Sequence, residues 1–313
     1  MSNSKPSDGI SERHTGQPLS GVIAAIATPI TRSGDPDARR FIALAEYLLS
    51  HGCDGLNVLG TTGEATSFTR EQRMALMLAI ADAGLPLHRM MVGTGAAAIK
   101  DALVLTRHAA ELGFAGALVL PPFYYKGVPN DGIIRYIGAI TEETQSTAVP
   151  IYLYHFPAMS GVPYTVDLVR QLRTEFGDRI AGLKDSSGDL DYARRVASIS
   201  PTLDVFPSNE AVLTEARAGH FAGCISATAN LNADLCAAAF HDGDEQSLAT
   251  AVAIRKIFDG RPLVPGVKAV LAHIHDDPSL AVTLPPLAPI ADNDLRSVVE
   301  AYDHFRSAAA LAG

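Results

Sequence analysis

The sequence predicts an α/β chain folded as a (β/α)8 TIM barrel with a C-terminal helical appendage. Three observations carry that expectation: eight short apolar runs, helix-period segments between them, and a spacing that fits one strand and one helix per repeat. The runs are rich in Val, Ile and Leu and start at Val22, Gly55, Arg89, Ala115, Pro150, Ile180, Leu203 and Gly223. They lack the polar alternation of a half-solvated strand, as expected where helices cover one face of a parallel sheet and a core fills the other. Helix-period segments separate them over residues 37–50, 70–84, 100–113, 131–147 and 165–176. Successive runs start roughly 20 to 35 residues apart, the length of one strand-helix unit. After Asn230 strand signals cease, and helical patterns cover residues 233–259, 266–275 and 292–311. The expected organisation is therefore a flexible tail over 1–20, a barrel over 21–231 and a helical region over 232–313. A doubly wound open sheet competes with the barrel, but no G-x-G-x-x-G opens the first unit.

Composition narrows the function classes. The 313 residues suffice for one barrel core, which typically takes about 250, plus an addition. No apolar run reaches the roughly 18 residues that cross a bilayer, so a membrane is not expected as a partner. The first twenty residues are polar and rich in Ser, Gly and Pro, unlike a secretory leader. With 25 Lys plus Arg against 34 Asp plus Glu, the net charge of -9 argues against a phosphate-tracking surface and hence against nucleic acid. Cys53, Cys224 and Cys236 are odd in number and lack C-x-x-C spacing, giving neither a disulfide framework nor a zinc knuckle; a cytoplasmic location is the expectation.

In such a barrel the chemistry sits at the C-terminal ends of the strands. The sixth run ends in Leu183-Lys184-Asp185-Ser186. A lysine at that junction is either a snorkelling strand-end residue paired with Asp185, or a desolvated side chain whose free amine attacks a ketone. The second run ends in Gly60-Thr61-Thr62-Gly63-Glu64, which reads either as a helix-capping turn or as a cradle of hydroxyls and main-chain N–H groups for a carboxylate. The fifth ends in Tyr152-Leu153-Tyr154-His155-Phe156-Pro157, where Tyr154 is a core residue or a phenol at the barrel mouth. The fourth ends in Pro121-Pro122-Phe123-Tyr124-Tyr125-Lys126, an aromatic loop suited to an interface or a lid. No H-x-H or H-E-x-x-H cluster stands at a strand end; His273-Ile274-His275 falls in the appendage.

Taken in order, these pieces resemble the dihydrodipicolinate synthase/N-acetylneuraminate lyase family of pyruvate-type aldolases, from about Gly21 to about His275. Thr28-Pro29, Gly223-Cys224-Ile225-Ser226, Thr228-Ala229-Asn230 and Val267-Lys268-Ala269 complete the set. The resemblance implies a lyase, an aldolase or dehydratase, in which Lys184 forms an imine with pyruvate or a 2-oxo/2-keto-3-deoxy acid. Tyr154 is then the proton relay, and Thr61 links it to Tyr125, which enters a neighbouring subunit's site. Thr61, Thr62 and Gly63 hold the carboxylate, with Ile225, Met159, Ser208 and Glu210 as further substrate contacts. No metal or other cofactor is implied, because the protonated imine is itself the electron sink. A homo-oligomer, a tetramer built as a dimer of dimers, is implied as well.

The chain departs from both name-giving members. Lysine-pathway synthases carry an arginine two residues after the proline of the Tyr-x-x-Pro stretch, and Met159 stands at that place here. Sialic-acid lyases present two consecutive acids after strand seven, where this chain reads Ser208-Asn209-Glu210-Ala211. A thioether cannot pair with a carboxylate, so a catabolic 2-oxo acid lyase is preferred to the alternative, a 4-hydroxy-tetrahydrodipicolinate synthase condensing pyruvate with aspartate semialdehyde. A non-catalytic ligand-binding barrel is the third reading. Retention of Lys184, Tyr154 and Thr61 together argues against it.

Overall fold

The computed structural model describes residues 19–312, and the polar tail up to residue 18 lies outside the described residues. Every apolar run contains a strand: β1 (Gly21–Ala25), β2 (Gly55–Val58), β3 (Met90–Gly93), β4 (Gly116–Val119), β5 (Ile151–His155), β6 (Ile180–Asp185), β7 (Asp204–Pro207) and β8 (Gly223–Ser226). They pair in parallel in chain order from β1 to β7, with β8 beside β1. The ring is nearly closed, and at the remaining seam the Ala222 N–H donates to the Val205 carbonyl at 3.0 Å. This is a TIM barrel. Beyond the β1–β8 ladder, Asn230 staples the joint: its amide donates to the Ala25 and Ala227 carbonyls at 2.8 and 2.7 Å and accepts from the Ala27 N–H at 3.1 Å. Main-chain groups left by the ending strands thus find partners in one side chain.

Helices follow the strands: α1 (Ala38–Ser50), α2 (Arg70–Asp82), α3 (Ile99–Leu112), α4 (Asn130–Glu143), the single turn α5 (Pro157–Ser160), α6 (Val166–Phe176), α7 (Leu190–Ala197), α8 (Leu213–Arg217) and, after the last strand, α9 (Ala229–Ala237). Local signals set several starts. Asp37, Thr165 and Asp189 cap α1, α6 and α7 through their side chains, and Thr69 forms a reciprocal capping box with Gln72 at α2. Two apolar layers result. Val22, Leu56, Val92 and Leu153 point outward under the helices, whereas Ile23, Met91, Leu118, Tyr152, Phe206 and Ile225 fill the barrel interior. Strands covered on both faces show no polar alternation for this reason.

The register positions the site. Tyr154 on β5 lies opposite Lys184 on β6, and Lys184 lies opposite Phe206 on β7, so the three side chains share one inward level.

Beyond the barrel run α10 (Glu245–Lys256), α11 (Leu263–Ile274) and α12 (Asp292–Ala312). The expected continuous helical stretch over 233–259 is broken: Gly243 adopts a left-handed φ of 76°, and Asp244 caps α10 by accepting from the Gln246 N–H at 2.9 Å. The break stands in a polar run over residues 241–247, where Gly243 followed by Asp244 is a local helix stop and start that the continuous helical expectation passes over. α4 ends at Glu143, short of residue 147, where Thr144 bonds back to the Ile140 carbonyl at 2.9 Å and also accepts from Arg179 at 2.6 Å. No helix among the described residues is long and apolar enough to cross a membrane.

Candidate active site

Alternation along β6 turns Lys184 into the barrel, where it is 3% exposed. Its Nζ lies 4.5 Å from the centroid of the Tyr154 ring. The Tyr154 hydroxyl is 3.1 Å from Thr61 Oγ1, which brings β2, β5 and β6 to one point. A cavity of about 460 Å³ opens there, lined by Lys184, Tyr154, Thr61, Thr62 and Ile225, with Met159 and Ser208 further along its wall.

The turn after β2 is unusual in its backbone. Leu59 and Glu64, neither of them glycine, adopt φ of 52° and 53°, conformations that persist only where surrounding structure enforces them. Thr28 Oγ1 donates to the Gly63 carbonyl at 2.9 Å from one side. A Cβ on Gly63 would come within 3.1 Å of the Ile26 carbonyl oxygen and 3.2 Å of Leu59 Cα, so any other residue there would push the packed backbone apart by a few tenths of an ångström. Glu64 is anchored from the C-terminal region: it accepts from Lys268 Nζ at 2.5 Å and from the Leu284 N–H at 2.9 Å, while Lys268 also donates to the Thr28 carbonyl at 3.0 Å. Burial pushes the Lys268 ammonium below its ordinary range, and the Glu64 carboxylate opposes that shift. The Thr61 and Thr62 N–H groups meet no acceptor among the described residues, so they stand available to an anion.

Asp185, beside the lysine, also lines the cavity; burial raises its carboxyl above the usual range although the Ser187 N–H donates to it at 2.9 Å. Ser186 and Ser208 share a hydroxyl-hydroxyl bond of 2.7 Å. His155 faces away, stacked on Tyr192 at 4.2 Å and accepting from the Tyr164 N–H at 3.1 Å. Burial lowers its imidazole to about 4, which leaves it neutral near pH 7 and suited to packing.

Three expected site residues do not reach the cavity. Gly63 sits behind the turn as a packing element. Tyr125 is 73% exposed and stacks edge-on against Tyr124 with ring centroids 5.4 Å apart, outside this chain's own cavity. Glu210 corrects the expectation of a direct substrate contact: it is fully buried, and its carboxylate accepts from the Ser226 hydroxyl at 2.5 Å and from Thr228. Buried carboxylates need such donors, and these bonds turn this one away from the opening. Sequence reasoning missed the wall that the C-terminal region contributes, namely Arg255, residues 262–265 and Leu287. No local signal marks them, because only tertiary packing brings them to the strand ends.

The family model described as the dihydrodipicolinate synthetase family matches residues 18–304. The chain belongs to that family. Family members are lyases, and the chain is therefore an enzyme of lyase or aldolase type. It is 33% identical over 295 residues to an uncharacterised DapA-like lyase of Chloroflexus aurantiacus, covering 91% of this chain and 96% of that one. It is 30% identical over 245 residues to a protein of Escherichia coli named as a probable 2-dehydro-3-deoxy-D-pentonate aldolase, covering 76% and 79% of the two chains. Among solved structures, the prophage protein YagE of Escherichia coli, from the dihydrodipicolinic acid synthase family and in complex with pyruvate, superposes with a TM-score of 0.82 at 25% identity, covering 92% and 98%.

Proposed function

We propose that this family member is a Schiff-base-forming lyase acting on pyruvate or a 2-keto-3-deoxy acid through Lys184. The observation that carries the reading is the union of a buried lysine amine 4.5 Å from the Tyr154 ring, a tyrosine hydroxyl 3.1 Å from Thr61, and a turn with available N–H groups in one cavity. The pyruvate complex of YagE and the naming of the Escherichia coli aldolase support the substrate class.

In this reading the Thr61-Thr62 turn receives the carboxylate and presents the adjacent ketone to Lys184. The amine adds to C2, and the Tyr154 hydroxyl passes a proton to the carbinolamine oxygen, which leaves as water. The resulting iminium draws electrons from C3. Either a C3 proton passes to the Tyr154 oxygen left deprotonated by the previous step, or the C3–C4 bond breaks as the C4 hydroxyl proton passes to that oxygen and an aldehyde forms; both leave an enamine on Lys184. Met159 leaves the expected arginine position without a cation, which disfavours a distal carboxylate held at that place as lysine-pathway synthases are expected to hold it. Borohydride added with pyruvate is expected to inactivate the protein and to add the mass of reduced pyruvate to Lys184, with EDTA making no difference. A label on another residue, or none, overturns the reading.

Assembly enters the same reading. The exposed Tyr124-Tyr125 pair is the aromatic loop through which one subunit completes its neighbour's proton path, in a tetramer built as two dimers. Tyr125→Phe is expected to lower kcat by about 10- to 100-fold, the scale of a lost proton-relay contact, with unchanged melting and unchanged sedimentation. Full activity in that variant removes the tyrosine from the mechanism.

A further inference from the structure

The cavity holds a second cation that the strand ends do not supply. Arg255 projects into the lining from the last turn of α10, and its side chain is 28% exposed. One edge of its guanidinium is tethered: Nη1 lies 3.3 Å from Ser226 Oγ and 3.5 Å from Glu210 Oε2. Glu210 is fixed in turn by the hydroxyls of Ser226 and Thr228 on its other oxygen. Nε and Nη2 have no partner among the described residues, so two donors of the rigid fork remain for a ligand. Among the described residues that line it, only Lys184 and Arg255 are cationic. Lys184 is committed to the reacting ketone, and the first carboxylate has its donors in the Thr61-Thr62 turn. Ser186 and Ser208 add hydroxyls to the same lining.

We propose that Arg255 is a specificity-determining residue that receives a distal carboxylate, so that the preferred substrate is a hydroxylated 2-oxo acid with a carboxylate at each end. The inference rests on the imine reading above and adds the identity of the far end. Glu210 is then a positioning residue, which explains why a carboxylate is buried beside the cavity without entering it: its charge and its two hydroxyl donors hold the arginine with its free edge exposed. A planar fork matches a carboxylate through two parallel bonds, whereas a hydroxymethyl group accepts at one oxygen only.

The test uses pairs of 2-keto-3-deoxy sugar acids of equal length that end in a carboxylate or in a hydroxymethyl group. Wild type is expected to show a higher kcat/KM on the dicarboxylic member. Arg255→Met should reduce that value about 10- to 100-fold, mainly through KM, with a much smaller change on the hydroxymethyl partner. Arg255→Lys should fall between them, because it keeps the charge and loses the fork. A measurement on wild type alone guards against misfolded variants: a straight-chain dicarboxylate should inhibit competitively at lower concentration than its monoamide. Equal inhibition, a wild-type preference for the hydroxymethyl series, or an equal loss on both substrates in Arg255→Met overturns the proposal. Borohydride labelling of wild type with pyruvate separates the two levels. No label at Lys184 sinks the imine reading itself, whereas a label without dicarboxylate preference sinks only the role of Arg255.

Discussion

Lys184→Ala is expected to lose turnover by a factor on the order of 10³ or more, equivalent to at least about 4 kcal/mol of barrier, while the protein melts close to wild type. The reason is positional. Among the described residues Lys184 is the only lining amine, at the inward level shared with Tyr154 and Phe206, so no described neighbour can form the imine in its place. Its side chain borders the cavity, so truncation enlarges an existing space and does not create a new void in a closed core. Tyr154→Phe gives the informative contrast. The ring that packs 4.5 Å from the amine stays, and only the hydroxyl near Thr61 is lost. That variant should turn over slowly yet still accept the borohydride label at Lys184, because trapping needs the imine more than rapid proton transfer. Steady-state kcat, intact-mass labelling and thermal melting check the pair. Appreciable turnover in Lys184→Ala removes the Schiff base from the mechanism.

The largest expected loss of stability lies elsewhere, at Lys268→Met. The Lys268 amine and the Glu64 carboxylate are both buried, and they bond at 2.5 Å. Removing the cation leaves a carboxylate inside the protein with the Leu284 N–H as its remaining partner, at a cost of about 3–5 kcal/mol. The denaturant midpoint should drop accordingly. The double variant Glu64→Gln with Lys268→Met should recover a substantial part of the loss, because no lone charge stays buried. Equal destabilisation by the single and double variants contradicts this account. Activity should fall with the single variant even where it is folded, since the same pair secures the turn that carries Thr61 and Thr62.

Much of this was readable from residues alone, for identifiable reasons. Strands enclosed on both faces write themselves as short Val-, Ile- and Leu-rich runs, and in a parallel barrel the polar residue that ends such a run faces the mouth. The placement of Lys184, Tyr154 and Thr61 near the barrel mouth was legible on that basis, whereas the roles proposed for them rest on the family resemblance. Glu210 was legible as a polar residue near a strand end but not as a buried one, because its fate depends on hydroxyls 16 and 18 positions away in the chain. Arg255 was hidden more thoroughly. In the last turn of α10, next to Lys256, it reads as a solvated cation at a helix C-terminus, and nothing local shows that the turn packs over the barrel mouth. The break at Gly243 was readable, since a glycine followed by a capping aspartate stands in the polar run over 241–247, but the helical patterns on either side were joined across it.

The Glu64 anchorage makes the start and the end of the chain parts of one object. The turn after the second strand is held from residues 268 and 284, and the cavity wall includes Leu287. During vectorial synthesis the barrel strands emerge long before those positions, so the turn expected to hold the substrate has no tether until residues 268 and 284 have been made. The helical region is thus a closing piece and not a detachable accessory. A truncation that ends after the eighth strand removes the clasp and a wall of the pocket together.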